Sequence, residues 1–427
     1  MLIETCIDKG VRRKSIDFFF VIMDKFRELG IIQPILRVIE EERFEKPSEI
    51  QEKSIPLVLS GKNVIAGSAT GSGKTLAFGS GIIQNTENGR GIQALVLTPT
   101  RELAQQVSKA LRMFSKYTSL EVACIYGGVG INPQIESLKR ADVVVGTPGR
   151  ILDHVQRNTI YLNNVKTLVL DEADRMLDMG FVVDVEKIIM QCPHERQTLL
   201  FSATITYDVA RLARKYMKDP VRVSAEVYVD HKKLAQVYYD VQDNMKFSLL
   251  VHLLKHEEAG LVMVFCNTRR NTDFVANNLK ANDVNALAIH GGFSQDKRNR
   301  TMKDFHSKSV YILVCTDVAA RGLDIKGVSH IYNYDIPHDS KDHIHRIGRT
   351  ARAGKKGKVI NILAQRDWDN FRRVIRDNEL DITKEQMPYI DRARISWKGK
   401  PRNFRSARSH YRNLEHRPTR RHNIKRR

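Results

Sequence analysis

Two short stretches hold the residues best equipped for chemistry. The first is GSATGSGKT, residues 67–75. Gly71 and Gly73 let the backbone curl so that N–H groups face an anion. Lys74 adds a positive charge suited to β- and γ-phosphates, and Thr75 adds a hydroxyl suited to Mg²⁺. Ser68 occupies the first slot of the generic pattern G-x-x-x-x-G-K-[ST], where glycine is expected. By itself the segment also reads as a coincidental glycine-rich turn. The second stretch is KTLVLDEAD, residues 166–174. An apolar strand ending in Asp171 is the metal-holding partner that a phosphate loop requires. Glu172 beside it suits a group that orients and deprotonates an attacking water. An acidic strand end that caps a helix is common, but both features in this order point to hydrolysis of a nucleoside triphosphate.

The elements that would position these residues are short β-rich runs separated by helical patterns. In the first half they are residues 63–68, 93–99, 122–128, 142–148, 166–174 and 198–204. In the second half they are 261–268, 284–292, 310–317, 330–335 and 358–363, preceded by LAQVYYDV. Runs apolar on both faces and spaced by helices predict parallel sheets, here two α/β domains. Many runs end in polar or glycine-rich clusters, and ligands of open parallel sheets bind beyond the carboxyl ends of strands. The stretch SAEVYVDHKK, 224–233, reads as an interdomain break.

A chain of 427 residues is too long for one core, and 42% hydrophobic residues suffice for two. The net charge of +21 points to a polyanionic partner, nucleic acid or an anionic membrane surface. Residues 389–427 hold 14 Lys/Arg against Asp391 and Glu415, so over half of the excess lies in a short tail. That tail has few aliphatics and reads as disordered alone. The five cysteines form no C-x-x-C pair, which predicts reduced thiols in a cytoplasmic protein. No apolar run has the length of a membrane span. Residues 1–22 differ in character from the rest of the first domain and read as an N-terminal extension, and Met23 would make a natural start.

With SATGSGKT upstream and Ser202-Ala203-Thr204 downstream, the quoted DEAD resembles the DEAD-box family of ATP-dependent RNA helicases, in superfamily 2. The resemblance spans about residues 26 to 363, with motifs in family order. It implies two tandem RecA-like parallel-sheet domains, 23–224 and 234–388, joined by 225–233 and followed by the basic tail 389–427. It implies ATP and Mg²⁺ as cofactors and RNA as partner. Family loops often carry a small residue at the position of Ser68. The nucleotide loop is then Ser68, Ala69, Thr70, Gly71, Ser72, Gly73, Lys74 and Thr75, with Thr75 and Asp171 on the metal and Glu172 as base. RFEKPSEIQ, 43–51, is similar to the adenine-reading motif, with Gln51 on the base edge and Phe26 stacking on the ring. Arg43 replaces the usual glycine there.

By the same resemblance Arg101, Gly128, Thr147 and Arg150 contact the RNA backbone from the first domain. Thr268, Gln295, Arg298 and Thr316 do so from the second. Arg321, Gly322 and Asp324 lie between the domains, the latter two near the ribose. Ser202 and Thr204 link the ATP and RNA sides, and His345 and Arg346 reach across the cleft. Arg349 and Arg352 match the family's arginine fingers, although Ala351 stands where the family has glycine. ATP and RNA each touch both domains, so each favours closure.

His252 and His256, spaced i and i+4, read as a solvated helix face, so Mg²⁺ is the one metal expected. The tail, with Trp397, Phe404 and Tyr411 among its arginines, fits an RNA clamp better than an inert extension or a membrane anchor. Three other classes compete for the whole chain: a non-enzymatic RNA clamp, a DNA helicase and a transporter ATPase. Glu172 and the arginine pair argue against the first, only 2′-hydroxyl dependence separates the second, and the lack of spans argues against the third. Either way, ribonucleoprotein complexes are plausible targets, and oligomeric state is left open.

Overall fold

A computed structural model describes residues 24–67, 72–224, 234–320, 323, 325, 327–350 and 357–396. The N-terminal extension, the interdomain break 225–233, loop residues Ser68 to Gly71, Arg321, Gly322, Asp324, Ala351, Arg352 and residues 397–427 lie outside that set.

Seven strands form the first sheet: Val64–Gly67 (β1), Ala94–Leu97 (β2), Val122–Ile125 (β3), Val143–Gly146 (β4), Thr167–Asp171 (β5), Gln197–Ser202 (β6) and Val221–Ser224 (β7). Seven more form the second: Leu234–Asp240 (β8), Leu261–Cys266 (β9), Ala286–Ile289 (β10), Ile312–Thr316 (β11), Val328–Asn333 (β12), Gly357–Leu363 (β13) and Thr383–Lys384 (β14). All described pairings are parallel. The orders are β3-β4-β2-β5-β6-β1-β7 and β10-β11-β9-β12-β13-β8-β14. Strand for strand, the second repeats the first, so the two tandem α/β domains are copies of one topology.

The packing explains why the strands show no apolar–polar alternation. Ala94 and Val96 of β2 enter one core layer, whereas Leu95 and Leu97 enter the layer on the opposite face. In β9, Val262, Val264 and Cys266 face one layer and Leu261, Met263 and Phe265 the other. Each Val, Leu, Met or Phe among them contributes about 1.5–3 kcal/mol when fully buried, so both faces demand apolar residues. Cys266 and Cys315 are free, buried thiols within this packing, as expected.

The sequence reading missed β7 and β14, both short edge strands. It also began the tail too early. Residues 389–396 lie along the second domain: Ala393 N donates to Ser248 Oγ at 3.0 Å, Arg394 N to Asn282 Oδ1 at 3.0 Å and Ser396 N to Asn278 Oδ1 at 2.7 Å. Ile390 and Ala393 pack against the core. The backbone groups there find side-chain acceptors on neighbouring elements, a partnership invisible in a basic composition.

Candidate active site

The carboxyl ends of three adjacent strands set the site. In the sheet register Gly67 of β1 pairs with Ser202 of β6, and Asp171 of β5 pairs with Phe201. The loop after β1 ends at Gly73, whose φ is +88°, and the helix Lys74–Asn85 begins at once. A Cβ at Gly73 would stand 2.4 Å from Gln51 Nε2, so glycine is required on both grounds.

Lys74 is buried, and its ammonium lies 3.8 Å from Asp171 Oδ1. Asp171 Oδ1 is buried without a hydrogen-bond partner. Burial pushes the Asp171 carboxyl up to about 6, against the pull of Lys74 and with the push of Glu172. An orphaned carboxylate oxygen, with the half-buried Thr75 hydroxyl one residue beyond Lys74, is a donor set that suits a hard cation.

Glu172 sits at φ 53° and ψ 52°, a left-handed conformation that costs a non-glycine residue of order 1–3 kcal/mol. Burial works to raise its carboxyl, but the charges of Arg175, Lys74 and Arg349 override this and hold it at about 2. Arg175 donates to Glu172 directly. Arg349 belongs to the second domain, so its influence on Glu172 crosses the cleft. Arg349 is buried, and its Nη1 donates to the Leu323 carbonyl at 2.8 Å. Carboxylates and lysine thus come from one domain, and a guanidinium comes from the other.

Ser202 and Thr204 are tied to the acidic motif through Asp174. Asp174 Oδ2 accepts from Thr204 N and Oγ1, each at 2.8 Å, and Asp174 N donates to Ser202 Oγ at 3.1 Å. Any shift of the acidic motif therefore reaches the segment after β6.

Two expectations, on Phe26 and Arg346, need correction, and Gln51 has partners the sequence did not announce. Phe26 is 0% exposed and meets Phe44 edge-on at 6.3 Å, so its ring is core and offers no face to a base. Gln51 does not hold its amide open: Oε1 accepts from Ser48 N at 2.9 Å and Nε2 donates to Gly73 O at 3.0 Å. Ser48 Oγ reaches Ser72 O at 2.6 Å, so this helix start braces the loop. Arg346 does not reach the first domain. It is 1% exposed and donates to Asp317, Asn333, Asn267 and the Asp335 carbonyl, all in its own domain. Five donors on a buried guanidinium must be met nearby, and the carboxyl ends of β9, β11 and β12 meet them. His345 lies 3.9 Å from Asp342 of its own helix.

The residues expected to meet RNA line the carboxyl ends of the other strands. Arg101 lies under the turn after β3: a Cβ at Gly128 would stand 2.0 Å from its Nη1. Arg150 Nη2 donates to the Val129 carbonyl at 3.2 Å, and Thr147 stands just before the same helix with no side-chain capping bond. On the second domain Thr268 caps its helix by accepting from Asn271 N at 3.1 Å, the half-buried Gln295 donates from Nε2 to Asn299 Oδ1 at 3.1 Å, and Thr316 ends β11. Arg298 is engaged otherwise: its Nε and Nη2 lie 2.8 and 2.7 Å from Glu102 Oε1 of the first domain. That pair, 196 residues apart, carried no sequence signal. The contribution of Arg175 was also missed, and its i, i+3 spacing from Glu172 was the signal that could have shown it.

A family model described as DEAD/DEAH box helicase matches residues 48–212, and one described as helicase conserved C-terminal domain matches residues 245–354. The chain belongs to the DEAD-box helicase family. An ATP-dependent RNA helicase CshA from Limosilactobacillus reuteri is 46% identical over 356 residues, covering 82% of this chain and 71% of the relative. A DEAD-box ATP-dependent RNA helicase CshA from Geobacillus kaustophilus is 44% identical over 377 residues, covering 87% and 80%. Among solved structures, S. cerevisiae Dbp5 bound to RNA and ADP BeF3 aligns with a TM-score of 0.78 at 32% identity, covering 84% of this chain and 95% of that one. Among the described residues no helix is long and apolar enough to cross a membrane, and no cluster of three His, Cys, Asp or Glu side chains could hold a metal ion by itself.

Proposed function

We propose that this DEAD-box chain hydrolyses ATP in an RNA-stimulated cycle and uses it to part short RNA duplexes or remodel RNA–protein complexes. The observation that carries the reading is the charge of buried Arg349, from the second domain, acting on Glu172 at the end of β5 in the first.

Roles follow from the geometry. Lys74 meets the terminal phosphates of ATP, and the loop of Ser68 to Thr75 wraps them with backbone N–H groups. Thr75 and Asp171 hold Mg²⁺, which when bound screens phosphate charge and polarises the transferring group. Glu172, kept anionic by Arg175, Lys74 and Arg349, orients the water and takes its proton. Arg349, with Arg352, stabilises charge on the transferring phosphoryl group. Gln51 keeps one donor and one acceptor beyond its two contacts, enough for a base edge once the loop shifts. Gly322 and Asp324 serve the ribose, and Arg321 and His345 the interdomain surface. Backbone contacts to RNA come from Arg101, Gly128, Thr147 and Arg150 on one side, and from Thr268, Gln295, Arg298 and Thr316 on the other. RNA entering that face competes with Glu102 for Arg298. The domains span 23–224 and 234–396, and the basic tail 397–427 adds salt-sensitive affinity. Buried free thiols support a cytoplasmic setting.

Steady-state ATPase assays with RNA and DNA of equal length test the reading. RNA should stimulate turnover and DNA should not. Glu172→Gln should keep ATP and RNA bound while turnover falls by about 10²–10⁴. Equal stimulation by DNA, or brisk turnover by the variant, would contradict it.

A further inference from the structure

Because the two sheets repeat one strand order, every strand end around the ATP crevice has a counterpart in the second domain. The ends of β1, β2, β5 and β6 correspond to those of β8, β9, β12 and β13. A cavity of about 1710 Å³ opens there, with Asn244 beyond β8, Thr268 beyond β9, Asp335 beyond β12 and Asp367 beyond β13. None of the chemistry assigned so far uses its interior.

Its phosphate chemistry has been closed off. Lys246 opens the helix after β8, as Lys74 opens the helix after β1. Yet Lys246 is buried, its ammonium 2.5 Å from Asp367 Oδ2 and 5.2 Å from the centre of the Tyr334 ring. No glycine precedes it; the connection reads Val241-Gln242-Asp243-Asn244-Met245. Asp335 accepts from Asn267 N at 3.0 Å and from Asn271 Nδ2 at 2.6 Å, and Asp243 lies 3.6 Å from Arg366. A triphosphate would meet no unpaired lysine at the start of the helix after β8.

What faces the opening is amide, aromatic and basic, together with Asp243 and Asp273, which lie against Arg366 and His290. Asn244 and Asn277 are exposed, the Phe274 ring is half-buried in the wall, and Arg270 and Lys280 are exposed on the same helix. Amides can read base edges, an aromatic ring can stack on a base, and the two cations can meet backbone phosphates. Thr268 stands on one rim. Ser396 stands on another, after which residues 397–427 carry 12 Lys/Arg and a single acid. The volume exceeds the roughly 300–1,000 Å³ of a small-molecule site, leaving room for more than one nucleotide.

We propose that this crevice is a second, ATP-independent site for single-stranded RNA, seating unpaired nucleotides of the strand whose backbone meets Thr268. The proposal rests on the helicase reading above. The bases enter between Asn244 and Asn277 beside Phe274, with Arg270 and Lys280 on the phosphates.

The test uses the full chain, a non-hydrolysable ATP analogue and fluorescein-labelled oligouridines of about 6 and about 12 nucleotides, read by anisotropy. Asn277→Ala combined with Lys280→Glu alters only exposed side chains. The variant should bind the longer RNA about tenfold more weakly, the size of one stacked or charge-held nucleotide, and bind the shorter RNA unchanged. Equal loss for both lengths, or no loss for either, overturns the proposal; in the latter case the cavity has another occupant, such as a protein. Failure of the unsubstituted protein to bind either RNA brings down the helicase reading together with this one.

Discussion

The two crevices occupy equivalent places in two copies of one sheet, yet they handle charge in opposite ways. In the first, Lys74 and Asp171 stand 3.8 Å apart, Asp171 Oδ1 lacks a hydrogen-bond partner, and Glu172 is held in a left-handed conformation. In the second, Lys246 and Asp367 stand 2.5 Å apart, and Asp367 Oδ2 also accepts from Ala364 N at 2.8 Å. The first crevice keeps its charges for something that arrives. The second has spent them on itself. Topology alone therefore does not make a phosphate site; groups left unsatisfied at the strand ends do.

The sharpest way to break this comparison is to exchange the damage. Lys74→Ala should lose ATP binding outright, read with a fluorescent nucleotide, and leave the unfolding transition in place. Lys246→Ala should do the reverse, keeping nucleotide affinity while the second domain loses about 3–5 kcal/mol in urea, because Asp367 is left buried and unpaired. Equal effects of the two variants on ATP affinity would end the distinction.

Acid should expose the second domain next. His343 is 0% exposed; burial, then the nearby charge of Arg346, pushes its imidazole down to about 3. Its Nε2 donates to Gln236 Oε1 at 3.2 Å. The folded value lies below the unfolded one, so the neutral form is favoured by folding. That contribution is intact above about pH 6.5 and is lost as pH falls toward 3. Between about pH 7 and 5 the second domain should lose about 2 kcal/mol in urea unfolding, and His343→Gln should flatten that slope. A slope untouched by the substitution would assign the acid sensitivity elsewhere.

The smallest effect concerns the seam between the copies. Glu102→Gln should weaken the mutual enhancement of ATP and RNA binding by about 1 kcal/mol, seen as a several-fold change in RNA affinity only when nucleotide is present. A change of the same size without nucleotide would make Glu102 part of the RNA surface instead.

How far the sequence could go depended on the distance over which each feature is encoded. Lys74, Asp171 and Glu172 were legible because their types are fixed by phosphate and water chemistry and their places by strand ends. The doubled strand order was half legible: residues apolar on both faces announce parallel sheets, whereas β14 is only two residues long. Phe26 and Arg346 were misplaced because burial depends on what packs over a residue, and no local pattern says so. Gln51 was legible for its edge chemistry, whereas its contacts to Ser48 and Gly73 depend on how the loop folds back on that helix. Glu102 and Arg298 lie in different domains, so their contact exists only once both have folded and met.

The central claim is that one ATP pocket draws its acids and lysine from one domain and Arg349 from the other. Single-turnover hydrolysis by Arg349→Ala, with ATP and RNA affinities measured on the same sample, tests it most directly. Affinities should stay within a few-fold while the hydrolysis step slows by about 10³–10⁵. Hydrolysis at the unsubstituted rate would contradict the claim.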